Sequence, residues 1–173
     1  MKKALSLIIS SLMMIAFLSS CAGTGTQQTK TDTVKTAAAD TKVQSGGSMA
    51  VDGINSQVKG FSIDGFPGGS AKLDKNEDLE NMKKIVGLVK PIIDQVPDGY
   101  VMQITGHAAN YNSKSEQKRV STARAAKIYN ELKKAGVAAK KMTYKGVGID
   151  EPAAGYADKD AQQRRVSFKA VKK

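Results

Sequence analysis

The chain has 173 residues, with 27 Lys and Arg against 16 Asp and Glu, a formal net charge of +11, one Cys and one His. A single cysteine excludes any disulfide within the chain. One His and one Cys leave only carboxylates as metal ligands, and no Asp pattern of the calcium-loop kind is present, so no metal is expected.

The first residues have the three parts of a secretory leader: Lys2 and Lys3, an apolar stretch from Ala4 to Leu18, and the small residues Ser19 and Ser20. The apolar stretch is shorter than the about 20 residues that a membrane-spanning helix needs. Leu18-Ser19-Ser20-Cys21 resembles the lipobox of bacterial lipoproteins, which implies cleavage before Cys21 and acylation of its thiol and new amino terminus. Several acyl chains anchor stably where one is marginal. Residues 1–20 are therefore expected to be a signal peptide, and the lipid bilayer a partner through Cys21.

From Ala22 to about Ser48 the sequence is Thr, Gln, Ala, Lys, Asp and Gly with almost no large apolar residue. Such a composition buries too little surface to fold. The lipidated cysteine and a flexible linker are assigned to residues 21–50, and one folded domain to residues 51–173. Charge is uneven along that domain. Residues 52–111 hold six bases and eight acids, whereas 112–173 hold sixteen bases and six acids, a positive field that attracts anionic polymers or lipid headgroups. An exported, tethered protein seldom meets nucleic acid, and no nucleic-acid-binding signature is present. None is expected as a partner.

Val58–Asp64 is rich in β-branched and aromatic residues and ends at Gly65 and Pro67-Gly68-Gly69, which predicts a first strand and a loop. Asp74 and Glu77 form a candidate capping pair. After them Leu79, Met82, Ile85, Val86, Val89 and Ile93 fall three or four apart, on one helical face. Pro91 either ends that helix near Lys90 or begins a new one. Tyr100–Thr105 is a predicted central strand leading into Gly106-His107. A second helix spans about Ser115 to Ala135, with Val120, Ala125, Ile128, Tyr129 and Leu132 inward and Gly136 as its stop. Lys141–Val147 and Gln163–Val171 are the third and fourth strands, separated by a loop holding Pro152 and Gly155. This order of elements predicts an α/β sandwich.

Residues 106–137, beginning GHAAN and containing SEQKRVSTARAA, resemble the GHTD and N-x-x-L-S-x-x-R-A stretch of the OmpA C-terminal-like domain. Ser121 and Arg124-Ala125 take the serine and arginine-alanine places without a gap. Gly146, Gly148 and Pro152 resemble the family's G-x-G-x-x-x-P, Gln163-Arg164-Arg165-Val166 its N-R-R-V, and Ser70-Ala71-Lys72-Leu73 its S-A-x-L. The order of motifs is more specific than any one of them. The resemblance, over about residues 58–170, implies a βαβαββ domain: one four-stranded mixed sheet with helices packed on one face.

It also implies non-covalent attachment to peptidoglycan through the diamino acid of the stem peptide. In that family an aspartate of GHTD faces the ligand's ammonium and the arginine of R-A takes a carboxylate, since a guanidinium offers a forked donor set. Arg124 is present here, but the aspartate place holds Ala109 and its threonine neighbour is Ala108. The family's asparagine falls on Gln117 and its leucine on Val120. Loss of the carboxylate removes a contact of about 1.5 to 3 kcal/mol. Asn110, Glu116, Asp64 or Asp150 are candidates to compensate. A different diamino acid, or a ligand presenting only its carboxylate, would equally accommodate the missing charge.

The candidate peptidoglycan-binding residues are thus Arg124, Arg165, His107, Ala109, Asn110 and Gln117. The charged ones also have structural roles open to them. His107 at a strand end is more often hydrogen-bonded scaffold than catalyst, and an arginine in the place of Arg124 can instead pair with an acid on a helix surface. Strand alternation sends Arg164 and Arg165 to opposite faces, and Arg165 is taken as the one sharing Arg124's side. No Ser or Cys stands at triad spacing to His107, so neither an enzyme nor a cofactor is expected. The expected protein is an outer-membrane lipoprotein facing the periplasm, since Ala22 does not resemble the retention aspartate of enteric lipoproteins, and it binds peptidoglycan. The alternative is a scaffold that lacks wall affinity and assembles with other envelope proteins.

Overall fold

The computed structural model describes residues 44–173; Cys21, the leader and most of the expected linker lie outside the described residues. A four-stranded sheet has the order β1-β4-β2-β3, with β1 Ser62–Ile63, β2 Tyr100–Gly106, β3 Met142–Gly146 and β4 Val166–Lys172. β3 runs parallel to β2, while β4 is antiparallel to both β2 and β1, so the sheet is mixed as expected. Three helices, α1 Gln44–Val58, α2 Asn76–Asp94 and α3 Lys114–Lys134, share one core with the sheet. Alternation places Met102, Ile104, Met142, Val166, Phe168 and Ala170 on the inner face.

The glycines of β2 and β3 explain how closely α3 lies on this sheet. Gly106 pairs with Gly146 in the parallel register. A Cβ at Gly106 would run into the Ser121 carbonyl, and one at Gly146 into the backbone nitrogen of Thr122. Two adjacent missing side chains let the helix backbone rest directly on the strands. Val120, Ala125, Ile128 and Leu132 are buried as expected. Ser113 accepts from the Glu116 amide at the head of α3, and Lys133 and Lys134 in its last turn suit the negative end of the helix dipole.

Four local expectations are corrected. The first strand is only Ser62–Ile63, because Val58 ends a helix: Val51, Ile54 and Val58 are spaced three and four apart and buried at 7, 4 and 1% exposure. Gly46, Gly47 and Ser48 within the same helix hide that stripe from a compositional reading. Asn55 of α1 then stands where β1 stops; its side chain accepts from the Ala170 amide at 2.7 Å and donates to the Ala170 carbonyl at 3.2 Å. The amide thereby satisfies the open edge of β4 as a strand would. Second, α2 runs unbroken through Pro91, since Ile92 and Ile93 beyond it are buried. Third, Lys75, with no side-chain cap bond, precedes α2, and Asp74 pairs instead with Lys72 at 3.0 Å. Fourth, β4 begins at Val166, because Ala161–Gln163 forms a 3-10 turn whose Gln163 side chain binds the Ala153 backbone in both directions.

Candidate functional site

At the C-terminal ends of β2 and β3 the chain turns into two loops held by α3. Ser121 is fully buried; its Oγ donates to the Lys118 carbonyl and accepts from the Gly148 amide at 2.9 Å. Gly148, at φ +62, returns its carbonyl to the Ala108 amide at 2.8 Å. This fixes residues 106–109 against 146–148 and leaves Arg124, one helical turn beyond Ser121, beneath the loops.

Arg124 is 1% exposed. Its Nε donates to the Ser70 carbonyl at 3.0 Å, Nη1 to the His107 carbonyl at 2.8 Å and Nη2 to the Pro67 carbonyl at 2.8 Å. The guanidinium carbon lies 5.4 Å from the centre of the Phe66 ring, within cation–π range. Burial, and then the charge of Arg164, lower its pKa from 12.5 to about 10. It remains a cation at neutral pH. A small cavity of about 20 Å³ adjoins it, walled by Gly68, Gly69, Ala109, Glu116, Gln117 and Arg164 among others.

The expected site residues divide into two groups. Ala109, Gln117 and Arg124 meet at the cavity. Asn110 supports it indirectly: its Oδ1 accepts from Gln117 Nε2 at 3.1 Å, and the same nitrogen donates to the Asn112 carbonyl at 2.6 Å. His107 and Arg165 do not line it. His107 is 2% exposed, with Nδ1 3.0 Å from the Glu151 carbonyl and Nε2 2.8 Å from Ser167 Oγ. A carbonyl only accepts, so Nδ1 carries the proton and Nε2 accepts from the serine. Burial first, and then Arg165, lower the pKa of His107 to about 4. The imidazole is neutral scaffold, and only its backbone carbonyl reaches Arg124.

Arg165 likewise donates to the Glu151 carbonyl, at 3.1 Å. The choice between the paired arginines is therefore corrected: Arg164 shares the cavity with Arg124, and its Nε holds the Phe66 carbonyl at 2.8 Å. Strand alternation does not apply to them because both precede β4. Sequence reasoning also missed Gly68, Gly69 and Tyr111 as walls; the Pro67-Gly68-Gly69 breaker was the available signal. Of the candidate compensating acids, Glu116 lines the cavity, and Asp64 and Asp150 do not. Glu116 forks onto Arg119 at 2.6 and 2.8 Å, and that contact lowers its pKa.

A mixed open sheet under three helices, with an arginine of α3 beneath the loops that follow the central strands, defines an OmpA-like domain. The chain belongs to the OmpA family, whose sequence profile matches residues 65–165. No match was found among curated proteins. Among solved structures, the peptidoglycan-associated lipoprotein from Burkholderia pseudomallei is 18% identical, covering 70% of this chain and 99% of its own, with a TM-score of 0.52. The OmpA-like domain of FopA1 from Francisella tularensis is 18% identical over 64% of this chain and 69% of its own, with a TM-score of 0.51. The C-terminal domain of Helicobacter pylori MotB is 14% identical over 65% and 85%, with a TM-score of 0.52. At these identities the likeness is one of fold.

Proposed function

We propose that this protein is an outer-membrane lipoprotein, acylated at Cys21, whose periplasmic domain binds peptidoglycan without a covalent bond and so ties the membrane to the wall. Membership in the OmpA family and a fold shared with a peptidoglycan-associated lipoprotein support the reading. The observation that carries it is the buried Arg124 placed against a cavity at the loop ends of β2 and β3. A guanidinium presents a planar donor pair to a stem-peptide carboxylate, which a lysine does not. Sedimentation with purified sacculi tests this: the protein is retained, and Arg124→Lys lowers retention about tenfold, the loss of one charge-assisted contact.

A second reading follows from the contacts of Arg124 and from Ala109. Three carbonyls already hold the guanidinium, and Ala109 brings no charge to the cavity wall. On this reading the domain is a scaffold that assembles with other envelope proteins, and sacculi retain neither the unaltered protein nor the lysine variant.

A further inference from the structure

Two guanidinium groups meet at the cavity, and no free carboxylate faces either of them. Arg124 uses one N–H on each of its three nitrogens for the Ser70, His107 and Pro67 carbonyls. A guanidinium has five N–H donors, so one remains on each terminal nitrogen. Arg164 binds the Phe66 carbonyl through Nε, and its two terminal nitrogens have no protein partner among the described residues. Glu116 is the one carboxylate lining the cavity among the described residues, and both its oxygens are engaged by Arg119. Arg124, Arg164, Arg119 and Glu116 together carry three positive charges and one negative.

Carbonyl dipoles are weak substitutes for a counter-ion. A desolvated cation facing dipoles and a second cation gains from an arriving anion, because little water remains to screen the attraction. An ammonium brought to the same place meets the opposite field and finds no acid to receive it. We infer that the cavity selects a carboxylate with no ammonium beside it, such as the terminal carboxylate of an acylated amino acid. This deepens the wall-binding reading, on which it rests for the source of the ligand.

The cavity, about 20 Å³, has room for about one water, so an entering carboxylate displaces the Pro67–Ser70 turn from Arg124. Gly68 and Gly69 suit that movement. Neither has any atom within 4 Å of a would-be side chain, and Gly69 sits at φ +70.

The test uses the full chain in detergent and two soluble probes followed by NMR titration at neutral pH. N-acetyl-D-alanine has a carboxylate without an ammonium; meso-diaminopimelate has an ammonium beside each carboxylate. The acetylated probe is expected to bind at least tenfold more tightly. Arg164→Gln, which leaves the three Arg124 bonds in place, weakens that binding about tenfold with the folded spectrum retained, and Ala109→Asp narrows or reverses the preference. Equal or tighter binding of diaminopimelate to the unaltered protein overturns the inference, as does binding of neither probe or indifference to Arg164→Gln. Sacculus sedimentation in parallel separates the two readings. Retention on sacculi without the carboxylate preference removes the selectivity alone; the preference without retention keeps the selectivity and removes peptidoglycan as the source.

Discussion

Replacing Arg124 by methionine keeps an apolar stem of similar length and removes every donor from beneath the loops. The His107 carbonyl, whose bond to Arg124 is buried, is left unpaired at about 1–3 kcal/mol. The Ser70 and Pro67 carbonyls are in part-buried bonds and regain water if their turn opens, so each costs about 0.5–1.5 kcal/mol. Part of the loss is offset, because burial already disfavours the charge and holds the pKa near 10. The net destabilisation is about 2–4 kcal/mol. Urea unfolding measures it: with a slope of about 1–3 kcal/mol per molar, the midpoint falls by roughly 1–2 M. A loss under about 1 kcal/mol would refute the reasoning, since the Pro67–Ser70 turn would then not depend on the guanidinium.

His107 sets a pH window. Its pKa is about 4 in the folded protein against 6.5 ordinarily, so between those values the unfolded chain binds the extra proton and stability rises with pH. The contribution is complete above pH 6.5 and is lost as pH falls toward 4, with a size of about 3 kcal/mol; denaturant midpoints of His107→Gln across that range should lack this part of the slope. Gly106→Ala and Gly87→Ala should move thermal stability in opposite directions. The first drives a Cβ into the Ser121 carbonyl and costs about 1–3 kcal/mol or more, while Gly87 is an exposed position of α2 with nothing within 4 Å, so alanine adds about 0.5–1 kcal/mol of helix preference. Equal shifts at the two glycines would show that α3 does not rest on the sheet as described.

Much of the fold is legible in local pattern. The three-and-four spacing of Met82, Val86, Val89 and Ile93 marks α2, and that of Val120, Ile128 and Leu132 marks α3, because each helix must turn an apolar stripe to the core. α1 escaped notice because its stripe of Val51, Ile54 and Val58 emerges from a Gly- and Ser-rich stretch. It forms through contacts distant in sequence, above all the Asn55 amide on Ala170, which no window of neighbouring residues contains.

The site divides along the same line. The residues themselves determine the family and the position of Arg124 after the Gly106-His107 strand end, since motif spacing is a property of the chain. Tertiary structure alone decided which arginine of the Arg164-Arg165 pair joins it, and that His107 is a buried neutral ring. Those outcomes depend on where a 3-10 turn ends and how deeply loops bury a side chain. Both are set by packing between segments far apart in sequence, and short-range pattern carries no record of it.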